Sequence, residues 1–109
     1  RPKHTPWAPM QATEIPTAPL AKVSCDFVGP YPETPDGYKY VLQIQDILSR
    51  YVKFVPTKDE TAQTAAKALI QHWIGVFDIP KILQSDNGSH FASTVLKTVC
   101  EQLGIQQIL

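Results

Sequence analysis

Residues 23–30 read Val-Ser-Cys-Asp-Phe-Val-Gly-Pro, and the fold of the chain is decided by how this stretch pairs with the rest. Apolar side chains alternate here with side chains of a second face, and that second face carries Asp26. A period of two residues predicts a β-strand, which we place over residues 20–28. The apolar face of this first strand is formed by Val23, Cys25 and Phe27.

Two more strands are predicted directly after the first. The turn signal Pro35-Asp36-Gly37 precedes a second alternating stretch, which ends near Asp46. Residues 51–55 are rich in β-forming side chains, and Pro56 is expected to stop this third strand. Short connections between three consecutive strands predict an antiparallel meander.

Beyond residue 59 the apolar period changes to steps of three and four residues, which predicts a long helix. Residues 59–61, Asp-Glu-Thr, can cap its first turn, and Pro80 ends it. We expect Trp73 and Phe77 to lie in the core. The apolar stripe of this helix comprises Ala62, Ala65, Ala66, Leu69, Ile70, Trp73 and Phe77.

A strand over residues 81–84, a second helix and a strand over residues 105–109 complete the chain. Gly104 can close the second helix. Alternating strands and helices predict parallel pairing with right-handed crossovers. The prediction is therefore an α/β fold with a five-stranded mixed sheet, antiparallel in strands 1–3 and parallel in strands 1, 4 and 5. The second helix is marked by Ala92, Val95, Leu96, Val99 and Leu103.

Composition limits the function classes. Ten Lys and Arg residues balance ten Asp and Glu residues, so any DNA affinity is expected to be weak and to need other domains. The sequence contains no apolar run long enough for a membrane span and no signal-peptide layout, so we expect a nuclear or cytoplasmic protein that is not secreted. Cys25 and Cys100 are expected to be buried free thiols.

Residues 1–19 hold five of the ten prolines and show no apolar period, which predicts an extended linker before a domain over residues 20–109. Several blocks of that domain resemble, in order, the catalytic core of retroviral and LTR-retrotransposon integrases. The resemblance implies the ribonuclease H-like fold. The blocks are Asp26-Phe-Val-Gly-Pro-Tyr-Pro, Gly37-Tyr-Lys-Tyr, Asp46-Ile-Leu-Ser-Arg-Tyr, Thr61-Ala, Phe77-Asp-Ile-Pro, Ser85-Asp-Asn-Gly-Ser-His-Phe and Leu103-Gly-Ile.

Two carboxylates, Asp26 and Asp86, are the candidate catalytic and metal-holding residues. Mg²⁺ or Mn²⁺ takes hard oxygen ligands, and two such ions can flank an in-line displacement at a phosphodiester. In the resembling family the first aspartate lies on the first strand and the second follows the fourth strand, which is its neighbour. We therefore expect a weak metal site despite a separation of 60 positions, 86 minus 26.

The turn Asn87-Gly88-Ser89-His90 is the candidate DNA-binding segment, because free backbone N–H groups at a strand-to-helix turn favour an anion. The resemblance places this turn beside DNA. Ser89 is equally consistent with a helix N-cap. His90 is more consistent with a surface histidine than with a DNA neighbour, and Phe91 with a core residue.

The resemblance implies that the parent protein carries out DNA integration by metal-dependent 3′-end processing and strand transfer. The family's third carboxylate would fall beyond Leu109, so this chain alone is expected neither to process nor to join DNA ends. Glu101 does not match that glutamate, and Asp46 matches an acid with a mainly structural role. The alternative is a domesticated, non-catalytic module that binds nucleic acid or protein or only forms dimers. A second copy of the chain, in a homodimer, is a further candidate partner.

Overall fold

The computed structural model describes residues 21–86, 88 and 90–109, and the predicted linker over residues 1–19 lies outside them. Five strands form one mixed sheet in the order β3-β2-β1-β4-β5. β1 pairs antiparallel with β2 and parallel with β4, as predicted. The strands are β1 (Lys22–Val28), β2 (Tyr40–Asp46), β3 (Val52–Thr57), β4 (Ile82–Gln84) and β5 (Gln106–Ile108).

One face of the sheet is covered by helix α1 (Ala62–Leu69), which continues as a π-helical segment (Ile70–Ile74), and by α2 (Thr94–Leu103). The alternation predicted for the first two strands is confirmed, because the side chains that point toward the helices are at most 5 % exposed. These inward residues are Val23, Cys25, Leu42 and Ile44.

Both cysteines are buried free thiols. No helix in the described part of the chain is long and apolar enough to cross a bilayer.

The third strand corrects one prediction, because Pro56 lies inside β3 and does not end it. Pro56 stands opposite Val41 of β2. Since β3 is the edge strand of the sheet, the missing N–H of proline breaks no bond to a further neighbour. The position of a strand at the edge is set by tertiary structure and cannot be read from the local pattern.

Both helices are shorter than predicted. The N–H of Gly75 donates to the carbonyl of Ile70 at 2.9 Å, a five-residue step that widens the last turn and ends the helical period. Phe77, which lies beyond this turn, is 38 % exposed, so its assignment to the core was wrong, whereas Trp73 is fully buried as predicted. Ile70, on the same apolar stripe, is 42 % exposed. In α2, Leu96 is buried, whereas Val95 is 48 % exposed.

Gly29 ends β1 in a conformation that only glycine adopts without strain, with φ of +124°. A Cβ at this position would lie 2.8 Å from the carbonyl oxygen of Lys39. That oxygen accepts the N–H of Tyr31 at 2.7 Å, so it cannot move away freely. The approach of two backbone segments at the end of β1 therefore requires glycine.

Gly29→Ala is expected to lower the free energy of unfolding by roughly 1–3 kcal/mol, because it adds backbone strain and a steric conflict. Urea denaturation followed by circular dichroism measures the change. Gly104→Ala is the matched control: its φ is +73°, but nothing lies within 4 Å of an added Cβ. A Gly29 variant that loses no more stability than the Gly104 variant would show that the contact with Lys39 is unimportant.

Candidate metal and nucleic-acid site

The parallel pairing of β1 with β4 determines where the two candidate carboxylates lie. Ser24 stands opposite Gln84 in this register. Asp26 is two residues beyond Ser24, and Asp86 is two residues beyond Gln84, since 26 − 24 and 86 − 84 are both 2. Asp26 lies inside β1, and Asp86 follows the last residue of β4, so the register places both residues near the carboxyl ends of two neighbouring parallel strands.

Electrostatics agrees with this proximity. The pKa of Asp26 is raised, first because surrounding atoms remove part of its hydration and second because the Asp86 carboxylate repels its negative charge. A hydrogen bond from the backbone of Phe27 and the nearby His90 act in the opposite direction and lower that pKa. The pKa of the Cys25 thiol, next to Asp26 in the sequence, is raised to about 12. Burial is the main cause, and the negative charges of Asp26 and Asp86 raise this pKa further.

Asp86→Asn is expected to move the pKa of Asp26 back toward its ordinary value. Since folding raises this pKa, the stability that Asp26 contributes is present below its unfolded pKa and is lost as pH rises through the raised pKa. Removing the Asp86 charge should therefore reduce the stability that is lost when pH rises and the Asp26 carboxyl ionises. A ¹³C NMR titration of the Asp26 carboxyl measures the shift, with exposed Asp36→Asn as the control variant. An unchanged Asp26 pKa would mean that the two carboxylates do not interact.

The turn after β4 is organised by Asp86 itself. Oδ1 of Asp86 accepts the N–H of Gly88 at 3.2 Å, so this N–H is already used within the chain. The carbonyl of Gly88 accepts the N–H groups of Phe91 at 3.1 Å and Ala92 at 3.0 Å. A Cβ on residue 88 would lie only 3.1 Å from Asp86 Oδ1, which favours glycine there. Asn87 and Ser89 of the predicted DNA-binding segment lie outside the described residues.

His90 is half-buried and links this turn to two other elements. Its Nε2 lies 3.8 Å from Oε2 of Glu60, just before α1. Its ring meets the rings of Phe27 and Phe91 edge-on, with centroids 5.8 Å and 6.1 Å away, and those two phenylalanines stack on each other at 5.6 Å. Phe91 is a core residue, as predicted. The contact with Glu60 was missed, because a separation of 30 positions, 90 − 60, leaves no local sequence signal.

Helix α2 begins later than the sequence indicated. Its N-cap is Ser93, whose side chain accepts the N–H of Leu96 at 3.4 Å, and its first residue is Thr94. The sequence had placed the start of this helix near Ala92, directly after the candidate DNA-binding turn. In the structure, a hydrogen-bonded turn separates the candidate DNA-binding turn from the start of α2. The free backbone N–H groups of the first turn of α2 therefore lie beyond the candidate DNA-binding turn.

Two other acidic residues have different positions. Asp46 is fully buried at the end of β2 and accepts the backbone N–H of Ser49 at 3.0 Å and its hydroxyl at 2.5 Å. It therefore stabilises the turn into β3, in keeping with the structural role predicted for it. Glu101 is exposed on α2.

Asp26 and Asp86 fit a divalent cation by their chemistry. Two carboxylates supply hard oxygen ligands. Partial burial, and after it repulsion by Asp86, raises the pKa of Asp26, and a bound cation would relieve that repulsion. Over residues 21–86, 88 and 90–109, no group of three or more His, Cys, Asp or Glu side chains is arranged to hold a metal. Asp26 and Asp86 are the residues whose carboxylate oxygens would hold such an ion.

Comparison with known proteins identifies the family of this chain. Residues 16–109 match the family model described as the integrase core domain. The chain is 42 % identical over 69 residues, 63 % of its length, to the Pol polyprotein of Radiation murine leukemia virus (strain Kaplan). It is 29 % identical over 100 residues, 92 % of its length, to the retrovirus-related Pol polyprotein from transposon 412 of Drosophila melanogaster. The chain spans only 12 % and 8 % of these two relatives.

Solved structures show the same fold at low sequence identity. A chain of the simian T-cell lymphotropic virus intasome, in complex with PP2A regulatory subunit B56 gamma, superposes with a TM-score of 0.73 at 23 % identity, covering 85 % of this chain and 35 % of that one. The HTLV-2 integrase catalytic core domain in complex with magnesium, in a trimeric form, gives 0.71 at 22 % identity, covering 84 % and 60 %. The chain therefore belongs to the integrase core domain family of retroviral and retrotransposon Pol proteins, and its five-stranded sheet has the ribonuclease H-like architecture of integrase cores.

Proposed function

We propose that this domain supplies two metal-holding carboxylates to a DNA integrase, and that the parent protein processes the 3′ ends of DNA and joins them to a target strand. The observation that supports the proposal is the parallel pairing of β1 with β4, since Asp26 lies near the carboxyl end of β1 and Asp86 follows β4. Membership in the integrase core family supports the reaction class.

Asp26 and Asp86 would hold Mg²⁺ or Mn²⁺. The HTLV-2 core is described in complex with magnesium, which supports divalent metal use here. A bound ion supplies charge stabilisation for the attacking and leaving oxygens of phosphoryl transfer. The chain's own part is to orient the carboxylates: the N–H of Gly88 fixes Oδ1 of Asp86, and the rings of Phe27, His90 and Phe91 hold the turn against β1.

The proposed partner is DNA, bound weakly by this neutral domain and more tightly with the help of other domains. The candidate contacts are Gly88 and His90, together with Asn87 and Ser89. A role in DNA joining also favours a nuclear or cytoplasmic location. One structural neighbour is part of an intasome and the other is a trimeric form, which supports self-association of the parent.

Titration of the chain with Mn²⁺ tests the metal site directly. Paramagnetic broadening of ¹H–¹⁵N resonances is expected to centre on residues near Asp26 and Asp86. The double variant Asp26→Asn/Asp86→Asn should abolish it, while Glu101→Gln, an equivalent change on the exposed face of α2, should preserve it. Broadening that persists in the double variant, or is absent from the wild type, would contradict the site and favour a non-catalytic binding module.

A further inference from the structure

The side chains of Glu60 and His90 link two segments that are far apart in sequence. Oε2 of Glu60, in the segment just before α1, lies 3.8 Å from Nε2 of His90, in the turn after β4. A carboxylate attracts this edge of the imidazole when the neutral ring carries its proton on Nε2, and attracts it more strongly when the ring is protonated. The contact therefore holds the turn after β4 against the start of α1.

The ring of His90 also contacts residues next to both candidate metal-holding carboxylates. Its centroid lies 5.8 Å from that of Phe27, the residue after Asp26. Its Cδ2 lies 3.6 Å from the position that a Cβ would take on Gly88, an ordinary van der Waals distance. Gly88 in turn donates its N–H to Oδ1 of Asp86 at 3.2 Å. The ring therefore limits the positions open to Gly88 and, through that hydrogen bond, the orientation of the Asp86 carboxylate.

The carboxylate of Glu60 is not required to cap α1. Asp59 accepts the backbone N–H of Thr61 at 3.1 Å and its hydroxyl at 2.9 Å. The hydroxyl oxygen of Thr61 accepts the N–H of Thr64 at 3.2 Å, which caps the helix. The side chains of Glu60 and His90 are 39 % and 33 % exposed, so water screens their attraction only in part.

We propose that Glu60 is a positioning residue for the metal site: through His90 it holds the turn after β4 in the conformation in which Asp86 can share an ion with Asp26. Groups outside the ligand set that orient a metal-holding side chain raise the affinity for the metal. The part of this inference that concerns the ion rests on the proposed function. The part that concerns the conformation of the turn does not.

Two measurements on the chain test the inference: the Kd for Mn²⁺ from paramagnetic broadening of ¹H–¹⁵N resonances, and the hydrogen-exchange rate of the Gly88 amide in EDTA. Glu60→Gln is expected to raise both about 2- to 5-fold, the range usual for partly exposed ion pairs. Glu60→Asp keeps the charge but shortens the side chain by one methylene, so it should give similar increases. Glu101→Gln, the same chemical change on the exposed face of α2, should alter neither.

His90→Phe separates an effect through His90 from a direct attraction between Glu60 and the ion, because it keeps a ring against Phe27 and removes Nε2. In the His90→Phe background, Glu60→Gln should have no further effect on either measurement. An undiminished effect in that background, or wild-type behaviour of Glu60→Asp, would show that Glu60 acts only through the attraction of its charge for the cation. Either result would overturn the proposal.

The proposal is also overturned if Glu60→Gln changes only one of the two measurements, or neither. Hydrogen exchange of amides inside α1 is the internal reference for the fold, and it should be the same in Glu60→Gln and in the wild type. Absence of Mn²⁺ broadening from the wild type would count against the proposed function. The Gly88 exchange rates in EDTA would then still decide whether Glu60 holds the turn.

Discussion

Asp86→Asn, introduced into a longer integrase chain that contains this domain, is expected to reduce strand joining at least about 10²-fold, because small errors in the placement of reacting groups cost that much. Such a loss corresponds to about 2.7 kcal/mol of transition-state stabilisation. Asparagine keeps the size of the side chain and an Oδ1 that can still accept the N–H of Gly88, which lies 3.2 Å away. The substitution therefore removes the charge while it preserves the turn.

Strand transfer into a labelled duplex in the presence of Mn²⁺ measures this effect. Asp26→Asn should give a comparable loss, and the double variant should be little worse than either single change, because residues that act as a unit are not additive. Glu101→Gln makes the same chemical change on the exposed face of α2 and should leave the rate unaltered. If a folded Asp86→Asn variant joined strands at the wild-type rate, Asp86 would not be a catalytic residue.

Trp73→Ala is expected to lower the free energy of unfolding by roughly 3–5 kcal/mol, the usual cost of truncating a buried aromatic residue. Trp73 lies in the π-helical segment and is fully buried. Its ring lies 4.9 Å from that of Phe77 and 6.0 Å from that of Tyr51, so it connects the end of α1 to the start of β3. Domains of this size have a total stability of about 5–15 kcal/mol, so the variant loses a large part of it.

Urea denaturation followed by far-ultraviolet circular dichroism measures this change without depending on indole fluorescence. Val76→Ala is the control, because Val76 is 55 % exposed and a surface truncation should change stability by no more than about 0.5 kcal/mol. Trp73→Phe should cost less than Trp73→Ala, since an aromatic ring still fills most of the volume. Equal stability of the Trp73→Ala and Val76→Ala variants would exclude Trp73 as a core anchor.

The sequence predicted the elements of this fold well wherever a periodic apolar pattern was long. The two-residue period of β1 and β2 identified the buried faces that contain Val23 and Leu42, and the change of period identified α1. Helix ends were less well predicted. The π-helical turn after Leu69 and the late cap at Ser93 depend on hydrogen bonds that the apolar period does not encode.

For the candidate site, the sequence provided the residue types and the resemblance provided their pairing. Asp26 and Asp86 were identified from motifs, and the structure pairs β1, which contains Asp26, with β4, which Asp86 follows. The contact of Glu60 with His90 carried no local signal. It became visible only when the segment before α1 was placed beside the turn after β4.

The sequence alone determined the chemical groups of this protein and the local conformation of most segments, because periodicity and turn residues act over a few positions. Tertiary structure decided that β3 is an edge strand, and this position explains why Pro56 is tolerated inside it. It also brought Glu60 to His90. Contacts between residues far apart in sequence arise from the packing of the whole sheet and its helices, and no local pattern records them.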